Sequence, residues 1–88
     1  MRKPTATKQF ERDLRKMVRR GKDAAKLREV MGKLINCEPL ETRNKDHPLK
    51  GNHKDRRECH IEPDWLLIYK IEQSEIIFER TGTHSDLF

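Results

Sequence analysis

Apolar residues at Phe10, Leu14, Met17 and Val18 recur at i, i+4, i+7 and i+8, the stripe of an amphipathic helix. Thr7 stands where an N-cap belongs and Gly21 where the helix should stop, and the other faces carry Arg12, Arg15, Lys16 and Arg19. Asp23 is placed to cap a second helix whose Leu27, Val30, Met31, Leu34 and Ile35 form another stripe, ended by Cys37-Glu38-Pro39. The pattern predicts a short helical hairpin.

Residues 38–52 are polar with two prolines and a glycine, which predicts an ordered loop, long enough to suggest a functional role and containing His47. Beyond it the pattern turns strand-like over residues 57–61, 65–71 and 75–81, with Glu62-Pro63-Asp64 and Glu72-Gln73-Ser74 between them. Links this short predict an antiparallel meander. The run from Trp65 to Ile71 is apolar at nearly every position, which suits a central strand covered by the helices on one side and lined by aromatics on the other. A further strand at residues 2–5 is only faintly signalled, and Pro4 would confine it to an edge. The fold class expected is α+β: a single domain over residues 1–88, with a two-helix hairpin packed on a small antiparallel β-sheet.

The chain has 88 residues, too few for a second domain, and 40% of them are charged, so the core must come from the helical stripes and the apolar strands. An excess of 20 Lys and Arg over 15 Asp and Glu gives net +5, which favours polyanionic partners such as RNA, DNA or an acidic protein. Cys37 and Cys59 lack the close spacing of a zinc or redox motif, and two cysteines are too few for a disulfide scaffold, so reduced thiols are expected. The basic N-terminus is followed by no apolar signal-like region, and no apolar run is long enough to span a bilayer. A cytoplasmic protein without membrane association is the expectation.

Three histidines, His47, His60 and His84, stand near Asp, Arg or aromatic residues, in Asp46-His47, His60-Ile-Glu-Pro-Asp64-Trp65 and Arg80-Thr-Gly-Thr-His84-Ser-Asp-Leu-Phe88. His53 lies in a polar turn. Metal-free RNA cleavage needs a base for the 2'-hydroxyl, an acid for the 5'-leaving oxygen and cations for the phosphate, and histidine serves either proton role near neutral pH. Arg80 can clamp a phosphate or form a structural bridge to Glu79 or another acid. Phe88 offers either a hydrophobic latch or a stacking face, Lys50 and Lys54 add cations for an RNA backbone, and Trp65 is expected in the core. A metal site built from His47, His60, His84 and Asp64 is the rival chemistry, but no short ligand repeat supports it, and no cofactor is expected.

Lys45-Asp-His-Pro-Leu-Lys-Gly51, the run from Arg57 to Tyr69 and Glu79-Arg-Thr-Gly-Thr-His-Ser-Asp-Leu-Phe88 together resemble the YafQ branch of the RelE/ParE superfamily, with looser likeness along the hairpin. The resemblance implies a toxin of a type II toxin-antitoxin pair that cuts mRNA in the ribosomal A site, favouring lysine codons. It implies catalytic roles for His47, His60, Asp64 and His84, with Arg80 and Phe88 contacting the RNA or supporting the site; we read His60 and His84 as dividing the acid and base roles, in either order, with His47 and Asp64 assisting them and Arg80 stabilising the phosphate. One departure is Asn52-His53-Lys54, where family members often carry a tryptophan.

The partners it implies are the ribosome, mRNA and a cognate DinJ-like antitoxin, which would also bring any operator-DNA binding, since this chain shows no helix-turn-helix. Two other readings remain open. One is a non-catalytic gyrase inhibitor of the ParE type, for which the histidines would be incidental. The other is a basic RNA-binding module that grips single strands without cutting them.

Overall fold

The hydroxyl of Thr7 accepts the backbone N–H of Phe10 at 2.9 Å and starts helix α1 (Lys8–Arg19), while Asp23 accepts from the backbone of Ala25 at 2.9 Å and starts α2 (Ala24–Ile35). Both caps lie where the sequence predicts them. Between the helices Gly21 takes φ 91°, a left-handed turn that glycine adopts without the cost of a Cβ. The computed structural model describes residues 1–51 and 55–88.

Five strands form one sheet in the order β1-β5-β4-β3-β2: β1 (Lys3–Ala6), β2 (His47–Pro48), β3 (Arg56–Glu62), β4 (Trp65–Glu72) and β5 (Glu75–Gly82). Strands β3, β4 and β5 make the expected antiparallel meander, and β2 joins its outer edge through His47 opposite Glu58. The sheet is mixed rather than wholly antiparallel, because β1 runs parallel to β5, with Lys3 beside Glu75 and Ala6 beside Phe78. At this outer position Pro4 removes no ladder hydrogen bond that the sheet needs.

Helices α1 and α2 cover one face. Phe10 and Met17 from α1 and Leu27, Val30 and Leu34 from α2 are buried with Cys59, Trp65, Leu67, Tyr69, Ile76 and Phe78. Burial of each large side chain of this kind stabilises the fold by about 1.5–3 kcal/mol. Trp65 is a core residue, as expected, and its indole N–H donates to the Thr81 hydroxyl at 2.9 Å.

Trp65 and Tyr69 lie on the helix side of β4, so the expectation of aromatics on the opposite face is corrected. With a period of two, Trp65, Leu67 and Tyr69 share the covered face, and Leu66 and Ile68, also buried, form the floor of the other. The segment expected as an ordered loop contains a 3₁₀ turn (Thr42–Asn44) as well as β2. After β5 the chain turns into a short helix, α3 (His84–Leu87), capped by Thr83.

Candidate active site

Alternation along β3 turns Cys59 and Ile61 toward the helices and leaves Glu58 and His60 on the open face above Leu66 and Ile68. Strand β2 sets His47 opposite Glu58, while Gly82, across β4 from His60, leads within two residues to His84 at the start of α3. The three rings therefore form a row. The His47 and His60 centroids are 6.4 Å apart, and those of His60 and His84 are 5.9 Å apart.

Each ring in the row has Nδ1 against an oxygen: His47 against the Lys45 carbonyl at 2.6 Å, His60 against the Pro63 carbonyl at 3.2 Å and His84 against Asp64 Oδ1 at 2.6 Å. An oxygen acceptor requires the hydrogen on Nδ1, which leaves Nε2 of His60 and His84 as the nitrogens available for proton transfer, while His47 Nε2 faces Glu58 at 3.1 Å. The sequence-predicted His47, His60, Asp64 and His84 thus meet on one face.

Asp64, in the turn between β3 and β4, receives the backbone N–H of His84 at 2.9 Å as well as its ring. Those two hydrogen bonds, the backbone one foremost, hold the Asp64 carboxyl below its ordinary pKa. Helix α3 is fixed further by Asp86. This side chain accepts the Thr83 backbone N–H at 3.0 Å and a two-pronged bond from Arg20 of α1 at 2.6 and 3.1 Å, and lies 3.4 Å from Lys16. Its pKa is lowered, chiefly by Arg20. A Cβ at Gly82 would come within 3.0 Å of the Asp86 side chain, so the absent side chain lets α3 settle against the strand end.

Glu58 is a site residue that the reading of the sequence missed. It is buried at 7% exposure, with its carboxylate 3.1 Å from His47 Nε2 and 4.0 Å from His60 Nε2. The signal was its spacing, two residues before His60 in a strand. Asn44 was also missed: it is buried, accepts the Glu41 backbone N–H at 3.1 Å and donates to the His60 carbonyl at 2.8 Å, beside the bulge between His60 and Glu62. Next to His47, Asp46 accepts from the Tyr69 hydroxyl and lies 3.3 Å from Arg57, anchoring β2 to the sheet. Burial, followed by the Asp46 carboxylate, pushes the Tyr69 pKa up.

Arg80 is not turned to the histidine row. Its guanidinium meets Asp13 of α1 at 2.7 and 3.3 Å, and Asp13 also accepts from Gln9 at 2.9 Å and from the Thr81 backbone at 3.2 Å. Burial opposes ionisation of Asp13, but these donors outweigh it and hold its pKa below the usual carboxylate value. The structural bridge anticipated for Arg80 is present, with Asp13 as its acid, while Glu79 pairs with Arg56. Phe88 is exposed just past α3, and Lys50 is exposed after β2. Lys54 and His53 lie outside the described residues. Among the described residues, no group of three or more His, Cys, Asp and Glu side chains is arranged to hold a metal ion.

Residues 2–88 match the family model described as a bacterial toxin of a type II toxin-antitoxin system, YafQ. The mRNA interferase toxin YafQ of Escherichia coli strain K12 is 48% identical over 81 residues, covering 91% of this chain and 88% of that protein. In the E. coli DinJ-YafQ complex, a chain 45% identical superimposes with a TM-score of 0.92, covering 100% of this chain and 99% of that one. A copper-bound mutant toxin from Helicobacter pylori is 43% identical, with a TM-score of 0.95 and full coverage of both chains.

Proposed function

The chain belongs to the YafQ family of bacterial toxins of type II toxin-antitoxin systems, and from that premise we propose that it is an endoribonuclease that cuts mRNA in the ribosomal A site by metal-independent acid–base catalysis. The observation that carries this reading is the histidine row, with all three Nδ1 atoms engaged and two carboxylates beside it. Cleavage requires the 2'-hydroxyl to attack the adjacent phosphorus as one group removes its proton and another protonates the departing 5'-oxygen. His60 and His84, their rings 5.9 Å apart, divide those two roles through Nε2. Asp64 orients His84, and Glu58 holds His47 in place at the far end of the row.

RNA contact is completed by Phe88 as a stacking face, by the cations Lys50 and Lys54, and by Arg80, whose pairing with Asp13 uses only part of its five-donor guanidinium. A DinJ-like antitoxin silences the toxin by docking on its basic surface. The naming of DinJ in the relative's complex supports that partner, and binding of the pair to operator DNA is assigned to the antitoxin. No described helix is long and apolar enough to cross a membrane. Action on translating ribosomes sets the protein in the cytoplasm.

The test is cleavage of ribosome-bound mRNA carrying a lysine codon in the A site, comparing wild type with His84→Ala, with and without EDTA and against matched free RNA. Cutting by wild type alone within that codon, undiminished by EDTA, is the expected result. Loss of cutting in EDTA would overturn the metal-independent mechanism, which the copper-bound relative makes the necessary control. Growth arrest that persists in a folded His84→Ala protein without RNA cleavage would instead favour gyrase inhibition.

A further inference from the structure

A cavity of about 450 Å³ opens beside His60, between the 3₁₀ turn and the turn that joins β3 to β4. Its size falls within the range of small-molecule sites, roughly 300 to 1,000 Å³. Ile61 and Pro63 give it apolar wall, and Lys26, Arg43 and Lys45 supply three cations. Lys26 is committed to Glu62 at 2.9 Å, an acid that it shares with Lys22. Arg43 is bridged to Glu41 through Nε at 2.5 Å, which leaves its terminal nitrogens for another acceptor. Lys45 is exposed and forms no ion pair among the described residues.

The same turn supports the catalytic row. The Lys45 carbonyl holds His47 Nδ1 at 2.6 Å, and Asn44 holds the His60 carbonyl at 2.8 Å. A ligand drawn to Arg43 and Lys45 would therefore be registered against both histidines. Arg43 and Lys45 are exposed cations on the cavity that His60 also lines.

We propose that this cavity is the subsite for the nucleotide next to the scissile phosphate, with Ile61 and Pro63 receiving its base and Lys45 and Arg43 its phosphate. The proposal rests on the ribonuclease reading above. Apolar wall beneath paired cations suits a nucleotide, which carries a flat apolar face and an anion a few ångströms apart.

The test compares wild type with Arg43→Gln/Lys45→Gln on ribosome-bound mRNA, either unmodified or with a neutral methylphosphonate at the linkage on one side or the other of the cut. For the double variant KM should rise about tenfold with kcat nearly unchanged, and the salt dependence should weaken by about 0.7 in log–log slope for each phosphate no longer engaged. Wild type should be slowed by methylphosphonate on one side only, and the variant should be indifferent to it. A wild type that cuts all three RNAs equally, or a variant that cuts as wild type does, overturns the subsite alone. A variant that cuts normally but binds antitoxin more weakly also overturns it, assigning the cavity to a protein partner. A wild type that cuts no RNA overturns this proposal together with the nuclease reading.

Discussion

One oxygen of Asp64 receives both the ring Nδ1 and the backbone N–H of His84, at 2.6 and 2.9 Å, although the residues are twenty positions apart. A single carboxylate thus sets the direction of the ring and the position of the helix that carries it. Asp64→Asn retains an acceptor oxygen but removes the charge and allows the amide to rotate. We expect kcat to fall about 10²-fold, the scale of misplacing a reacting group by an ångström, with KM little changed. Single-turnover cleavage would measure it, and an unchanged kcat would remove Asp64 from the positioning of His84.

Glu58 gives a second prediction, because it lies buried between His47 and His60 and is the carboxylate closest to both Nε2 atoms. Glu58→Gln preserves its volume and removes its charge. Charge-assisted hydrogen bonds of this type contribute about 1.5–3 kcal/mol, so a loss in kcat of tenfold or more is expected while the far-UV spectrum stays native.

The contact of Asp86 with Arg20 joins α3, the helix that begins at His84, to α1. Asp86→Asn keeps an acceptor for the Thr83 N–H and loses the ion pair. Since exposed pairs contribute at most about 1 kcal/mol, Tm should move little, yet kcat should fall about threefold as His84 loses its brace. Added salt should reproduce part of the loss in wild type and none in the variant.

Asp13 predicts a dependence of stability on pH. Its folded-state pKa lies below the unfolded value near 3.8, so its contribution is present above that value and is lost as pH falls through the lower one. Urea unfolding should show Asp13→Asn less stable than wild type by about 1–2 kcal/mol at pH 7, with the gap narrowing below about pH 4. A gap that widens in acid would reverse the sign.

The two thiols should separate cleanly under a thiol reagent. Cys37 is exposed, whereas Cys59 is buried, with its pKa pushed up to about 12 by that burial and by the neighbouring Asp46 and Glu58 carboxylates. One equivalent should react in the native protein and two in denaturant, counted by mass.

The elements written in local patterns were legible. Thr7 and Asp23 announce their helices because an N-cap is a contact over two or three residues, and the strand runs announce themselves by apolar content. What failed was non-local or short. The unbroken run of β4 concealed which parity faced the helices, so Trp65 and Tyr69 were expected on the wrong side. Helix α3, four residues long, is below the length at which periodicity shows, and it exists because Thr83 and Asp86 cap one another and Arg20 holds it. The histidines were legible as a set because each sits in a conspicuous polar motif. Glu58 was not, because one acid among many becomes notable only when the pairing of β2 brings His47 opposite. Asp13 lies 67 positions from Arg80, a separation at which no sequence pattern nominates a partner.

The parallel pairing of β1 with β5 governs the order in which a newly made molecule can assemble. Residues 3–6 are made about seventy residues before their partners at Glu75 to Phe78, so β1 waits unpaired while the intervening chain is synthesised. The cap at Thr7, whose backbone N–H donates to the Phe78 carbonyl at 3.1 Å, waits with it. His84 follows a few residues behind Phe78, so the histidine row closes only after the sheet that carries it can close. A nascent chain that has not yet reached β5 therefore has neither the partner of its first strand nor the third ring of the histidine row.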